Sequence, residues 1–210
     1  WPRERSSKND EVAAKTLSIS DILRSFILPT RNCRDFYLAL VGRLLLMVGW
    51  SMVATYQLYI LQKYVGLSVD ESGTVISTMS VISMIVLIVT SMISGPIIVA
   101  VGSVIIAIGI AIPIMMPTAL GMMLYAGVAG TGYGIYIAVD QALNVDVLPS
   151  QEEAGKDLGI LNLANTVGQV LAPVIVGGVV ATSSYATIFP IAIVCVLVGA
   201  VVIMLIRKVK

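Results

Sequence analysis

The sequence predicts an all-α membrane protein with six transmembrane helices. Three observations carry that reading. Of the 210 residues, 58% are apolar and only 12% charged, and mean hydropathy is +0.97, whereas soluble domains carry about 25% charged residues. Apolar runs of about 20 residues recur along the chain, the length that crosses about 30 Å of hydrocarbon. The runs are continuously apolar, not alternating over about 10 residues, and this selects helices over barrel strands.

Residues 1–35 read as a polar, basic linker, with Arg3, Arg5, Lys8, Lys15, Arg24, Arg31 and Arg34. Within it, Ser20-Asp21 caps a short helix that places Ile22, Leu23, Phe26 and Ile27 on one face before Pro29 ends it. Such a helix lies on the membrane surface. The bundle follows over 36–206, with spans at 36–61, 72–95, 97–115, 119–147, 158–180 and 186–206, and a tail at 207–210. Between the spans lie Gln62 to Glu71, the Gly95-Pro96 break, Pro113 to Pro117, Pro149 to Asp157, and Ala181 to Tyr185. The fourth span is longer than a membrane needs, so its C-terminal end should project into water. Spans two and three meet at Ser94-Gly95-Pro96-Ile97 without a charged loop; a Gly-Pro turn reverses a chain there.

Orientation follows from Lys and Arg. The linker's basic residues, Lys156 in the loop after span four, and Arg207, Lys208 and Lys210 all fall on one side, and Lys63 alone on the other. The positive-inside rule puts that side, with both termini, in the cytoplasm, for a multi-pass protein of the plasma membrane. The chain opens on Trp1 with no signal peptide, and is expected to continue a longer protein.

The chain has no histidine, the usual metal ligand and neutral-pH base. Cys33 sits near a helix entrance and Cys195 inside the last span, in unlike environments that argue against a disulfide framework. Gly127, Gly130, Gly132 and Gly134 do not form G-x-G-x-x-G and follow no strand; they fit close helix packing through small residues. Serines 77, 80, 91 and 94 on span two are expected to pack the same way. A nucleophile–base pair would need assembly from scattered Ser and Asp. The reading is therefore not an enzyme, with no cofactor, metal or nucleic-acid partner.

Three spans carry polar stripes at helical spacing: Tyr133, Tyr136, Asp140 and Asn144 on span four; Arg43, Met47, Trp50, Ala54 and Gln57 on span one; Asn162, Asn165 and Gln169 on span five. Lipid does not tolerate such faces, so they should point to one another or to a water-filled cavity. Arg43 lies about 10 Å into span one from the cytoplasmic end, and Asp140 at comparable depth in span four. An intramembrane Arg costs about 2.5–3.5 kcal/mol on insertion scales, so Asp140 is its expected partner. Either the pair gates or couples transport, or it is a static packing pair, or Arg43 snorkels to headgroups. Asp146, Glu152, Glu153 and Asp157 lie nearer water, the two glutamates in a solvated loop. Trp50 and Tyr56 are suited to stack on a sugar ring, and Tyr59 to the outer aromatic belt.

The stretch AVDQALNVDVLP, followed by EEAGKDLGILNLANTVGQVLAPVIVG, resembles the C-terminal half of a major facilitator superfamily transporter, closest to bacterial glycoside/sugar–cation (sucrose–proton-like) symporters. DFYLALVGRLLLMVGWSMVATYQLYIL looks like that family's seventh helix and DILRSFILPTRNCRDF like its central linker. The superfamily's Gly-x-x-x-Asp-Arg-x-Gly-Arg-Arg loop is reduced here to Ser94-Gly95-Pro96. The resemblance implies half of the twelve-helix fold, with an N-terminal six-helix half as partner. It implies that spans one and four line the pathway, with Asp140, Gln141 and Asp146 at its cytoplasmic end. The expected function is movement of a small polar solute, a sugar being the candidate, by alternating access with proton coupling. Arg43 and Asp140 gate or couple; Trp50, Gln57, Tyr133, Tyr136, Asn144, Asn162, Asn165 and Gln169 face the pathway. A drug or metabolite exporter of the same fold, and a non-transporting scaffold, are the alternatives.

Overall fold

A computed structural model of the chain describes residues 33–91, 98–149 and 154–206. Among these residues all regular structure is helical. The long helices are α1 (Arg34–Ala54), α2 (Val69–Ser91), α3 (Ile98–Met115), α4 (Ala119–Asp146), α5 (Ala154–Thr182) and α6 (Ile188–Met204). Helices α1, α2, α4 and α5, and the stretch Tyr185–Met204, are long and apolar enough to cross a membrane; α3 is a shorter apolar helix. The surface helix expected between Ser20 and Pro29, the Gly95-Pro96 junction, Glu152, Glu153 and the basic tail lie outside the described residues.

Span one is not the single helix expected over 36–61. α1 stops at Ala54, Thr55 and Tyr56 make a turn, Gln57–Tyr59 resumes the helix, and Ile60–Val65 forms a π-helical turn. Gly66 ends it at φ 85°, a left-handed position that a residue without Cβ adopts at least cost. Two hydroxyls brace this irregular backbone. Tyr56 Oη donates to the Pro173 carbonyl of α5 at 3.3 Å, and Tyr64 Oη to the Pro113 carbonyl of α3 at 3.1 Å.

Other boundaries move for local reasons. α2 starts at Val69, not 72, because Ser68 and Glu71 form a capping box. The Ser68 N–H donates to the Glu71 carboxylate at 3.0 Å, and the Glu71 N–H to Ser68 Oγ at 3.3 Å. Thr118 caps α4 by accepting the Gly121 N–H at 3.1 Å. The 28 residues of α4 span about 42 Å at 1.5 Å each, longer than the hydrocarbon, and Val145 and Asp146 at its end are exposed. α5 begins at Ala154, four residues ahead of the expected start. Asp157 is thereby in its first turn and buried, not near water; the helix N-terminus is a favourable place for a carboxylate.

The packing order runs α2, α4, α3, α6, α1, α5, each helix lying against the next. The chain of neighbours ends on α2 and α5, which are accordingly the least covered: 17% and 22% of their apolar windows are buried, against 61% for α1. Small residues set the closest crossings. A Cβ added to Gly132 would sit 2.5 Å from the Gly102 carbonyl oxygen, so α3 and α4 touch backbone to backbone, and Gly134 leaves room for Thr90 of α2. Ser77 and Ser80 do not pack this way. They are exposed and bond the Gly73 and Ile76 carbonyls of their own helix, both at 2.9 Å, because they lie on the α2 face turned from α4.

Candidate functional site

The backbones of α1 and α4 scarcely approach each other; side chains bridge them. Arg43, 2% exposed, extends from α1. Its Nη2 lies 2.9 Å from Asp140 Oδ2 of α4. The same nitrogen donates to Asn162 Oδ1 at 3.2 Å, and Nε to Asn165 Oδ1 at 2.8 Å, both on α5. Asp140 is itself held from its own helix. Tyr136 Oη donates to Oδ1 at 2.8 Å and Asn144 Nδ2 to Oδ2 at 3.3 Å. The spacing of four residues on either side of Asp140 makes both bonds sterically direct.

One guanidinium and one carboxylate thus share four neutral partners, two from α4 and two from α5, in a network that links three helices. The Arg43 Nη1 is buried with no partner among the described residues. A buried ion pair adds little stability over apolar residues of the same volume, but breaking it by removing one partner costs about 3–5 kcal/mol. Stability alone therefore gives no reason for this pair. What the arrangement can do is change charge: neutralising Asp140 would loosen the tie between α1 and α4.

A second bridge lies further along the same two helices. Trp50 of α1 stacks on Tyr133 of α4 with ring centroids 4.2 Å and planes 4° apart. Tyr125 flanks Trp50 at 6.3 Å, and Tyr136 follows Tyr133 at 6.4 Å. Four rings therefore run from Tyr125 to the residue that bonds Asp140. Gln57, beyond the break in α1, is the polar neighbour of the Tyr125 hydroxyl.

Members of the three sequence stripes meet here, with differing burial. Arg43, Asp140, Tyr136 and Asn144 are buried. Trp50, Gln57, Tyr133 and Asn165 are half-buried, and Asn162 and Gln169 are exposed. Asp146 is exposed at the end of α4, apart from the cluster, and the Gln141 side chain lies outside those described. Met47 of the same α1 stripe is buried, and it closes over Gly168 of α5. Tyr56 is engaged with Pro173 and not with the stack, and Tyr59 is half exposed. The sequence reading passed over Tyr125, although its position two turns before Tyr133 puts it on the same face. Among the described residues no group of three His, Cys, Asp or Glu is placed to hold a metal ion.

A multi-pass helical bundle with an ion pair buried between facing helices is an arrangement that membrane transport proteins use. The family model for the Major Facilitator Superfamily matches residues 39–210, and the chain belongs to that family of transporters. No curated protein sequence matches the chain.

Proposed function

We propose that this chain is the C-terminal six-helix half of a secondary transporter that moves a small polar solute by alternating access, coupled to protons through Asp140 and Arg43. The observation that carries the proposal is the Arg43–Asp140 pair, buried between two helices that touch through little else. A charged pair at that depth is costly, and its breaking and re-forming is the kind of event that proton coupling needs. Trp50, Gln57, Tyr133, Asn162, Asn165 and Gln169 form the pathway wall, with Tyr136 and Asn144 orienting Asp140. Aromatic faces beside amides suit a hydroxylated solute such as a sugar. Residues 1–35 serve as the linker to an N-terminal half, and the basic residues at both ends keep both termini in the cytoplasm at the plasma membrane.

The test is uptake of radiolabelled disaccharide into proteoliposomes holding both halves, with and without an inward proton gradient. Accumulation driven by the gradient, and lost in Asp140→Asn, is the expected result. Uptake indifferent to the gradient, or unchanged in Asp140→Asn, overturns the coupling role.

One observation favours a second reading. An apolar groove of about 450 Å³ runs between α2 and α4, lined by residues such as Ile82, Val86, Met123 and Leu124. An exporter of apolar compounds would use such a surface. Efflux of a lipophilic dye from the same vesicles, with no sugar uptake, would decide for it.

A further inference from the structure

Asn162 and Asn165, beside their place on the proposed pathway wall, both give their side-chain oxygens to Arg43. The distribution of those bonds has a consequence. Arg43 Nη2 is shared between Asp140 on α4 and Asn162 on α5, while Nε belongs to Asn165 alone. If Asp140 becomes neutral, the guanidinium keeps two carbonyl acceptors without moving across the bundle. A buried cation left with no partner would cost several kcal/mol; the two amides remove most of that cost.

We propose that Asn162 and Asn165 are positioning residues that form a second holding station for Arg43. They allow the Arg43–Asp140 bond to open while the guanidinium stays buried. The packing agrees. α5 lies against α1, and α1 against α6, whereas α2 and α3 lie against α4. The bundle is thus mainly two three-helix groups, packed together chiefly through α3 and α6 on one side, with Arg43–Asp140, Trp50–Tyr133 and a slight α4–α5 contact on the other. Arg43 would remain with the α1, α5, α6 group when the second junction opens. The ionisable groups around Asp140 are Arg43 from α1 and Tyr133 and Tyr136 from α4 itself. α5 contributes amides there, and the described part of α3 carries no charged residue.

The proposal extends the coupling role given above, but its test reads stability and so succeeds or fails independently of transport. The 210-residue chain is melted in detergent micelles as four variants. Asp140→Asn alone, and Asn162→Ala with Asn165→Ala, should each stay within about 4 °C of the native midpoint. All three changes together should lower it by about 10 °C or more beyond the sum, since Arg43 then has neither a carboxylate nor an α5 amide and keeps at most the neutral amide oxygen at position 140. Adding Arg43→Met to the three should recover most of that loss. If the asparagines merely pack α5, Arg43→Met will recover nothing, and the proposal fails. It also fails if Asp140→Asn alone is as damaging as the combination.

Discussion

Trp50 lies flat on Tyr133, ring centroids 4.2 Å apart and planes within 4°. The two residues stand on helices whose backbones hardly meet, so the stack, like the Arg43–Asp140 pair, ties them through side chains. Trp50 follows Arg43 by two turns on α1, and Tyr133 precedes Asp140 by two turns on α4. Both ties therefore run along the same pair of helix faces. Opening one without the other would require α1 and α4 to tilt.

The stack gives the first prediction. Trp50→Ala should destabilise the chain by about 3 kcal/mol through lost packing, and Tyr133→Ala by a comparable amount. A double-mutant cycle should show a coupling of about 0.5–1.5 kcal/mol from the ring contact itself. Strict additivity in denaturant melts would mean that the rings pack independently.

Asp140→Asn should abolish gradient-driven accumulation in the assembled transporter while the protein still inserts. Counterflow, in which no net proton moves, should keep at least about a third of its native rate. The ratio of the two rates in proteoliposomes checks this, and an equal fall in both would make Asp140 a structural residue instead of a coupling one.

The space around them predicts opposite outcomes for two glycines, Gly132 at the α3–α4 crossing and Gly177 on α5. Gly132→Val drives a side chain into the Gly102 carbonyl and the Ile106 N–H, and should cost about 3 kcal/mol or more, the upper range for overpacking. Gly177 on α5 has nothing within 4 Å of an added Cβ. Gly177→Ala should therefore be neutral or stabilise by up to about 1 kcal/mol through helix propensity. Thermal melts of the two variants are the check.

The braces on the broken part of span one should act separately. Tyr56→Phe and Tyr64→Phe each remove one hydrogen bond, to Pro173 and Pro113 respectively, at about 1 kcal/mol apiece. Their sum should equal the double variant within about 0.5 kcal/mol, because the two share no partner. Hydrogen exchange over Gln57–Val65 should rise in either case.

Much of this molecule is written along the chain because the membrane makes local sequence decisive. A run of about 20 apolar residues has to satisfy its own backbone in hydrocarbon, and only a helix does so. That is why six spans were legible, and why Arg43 and Asp140 stood out as needing a partner: a charge in such a run has few places to go. Helical spacing then put Tyr136, Asp140 and Asn144 on one face before any fold was known.

Tertiary structure decided what spacing leaves open. Periodicity assigns a residue to a face but not that face to a neighbour, so the spacing of Asn162 and Asn165 left open that Arg43 of α1 would be their hydrogen-bond partner. The break at Thr55 and the π turn at Ile60–Val65 have no local signature, because their support is two hydroxyls reaching proline carbonyls about 50 and 117 residues away. Asp157 looked solvated because it sits among charges in sequence, yet the helix that begins at Ala154 buries it. The sequence by itself determined which segments cross the membrane and which side chains are too polar to face lipid. Which of those side chains hold one another was decided only by the order in which the helices pack, because that order sets which polar faces meet.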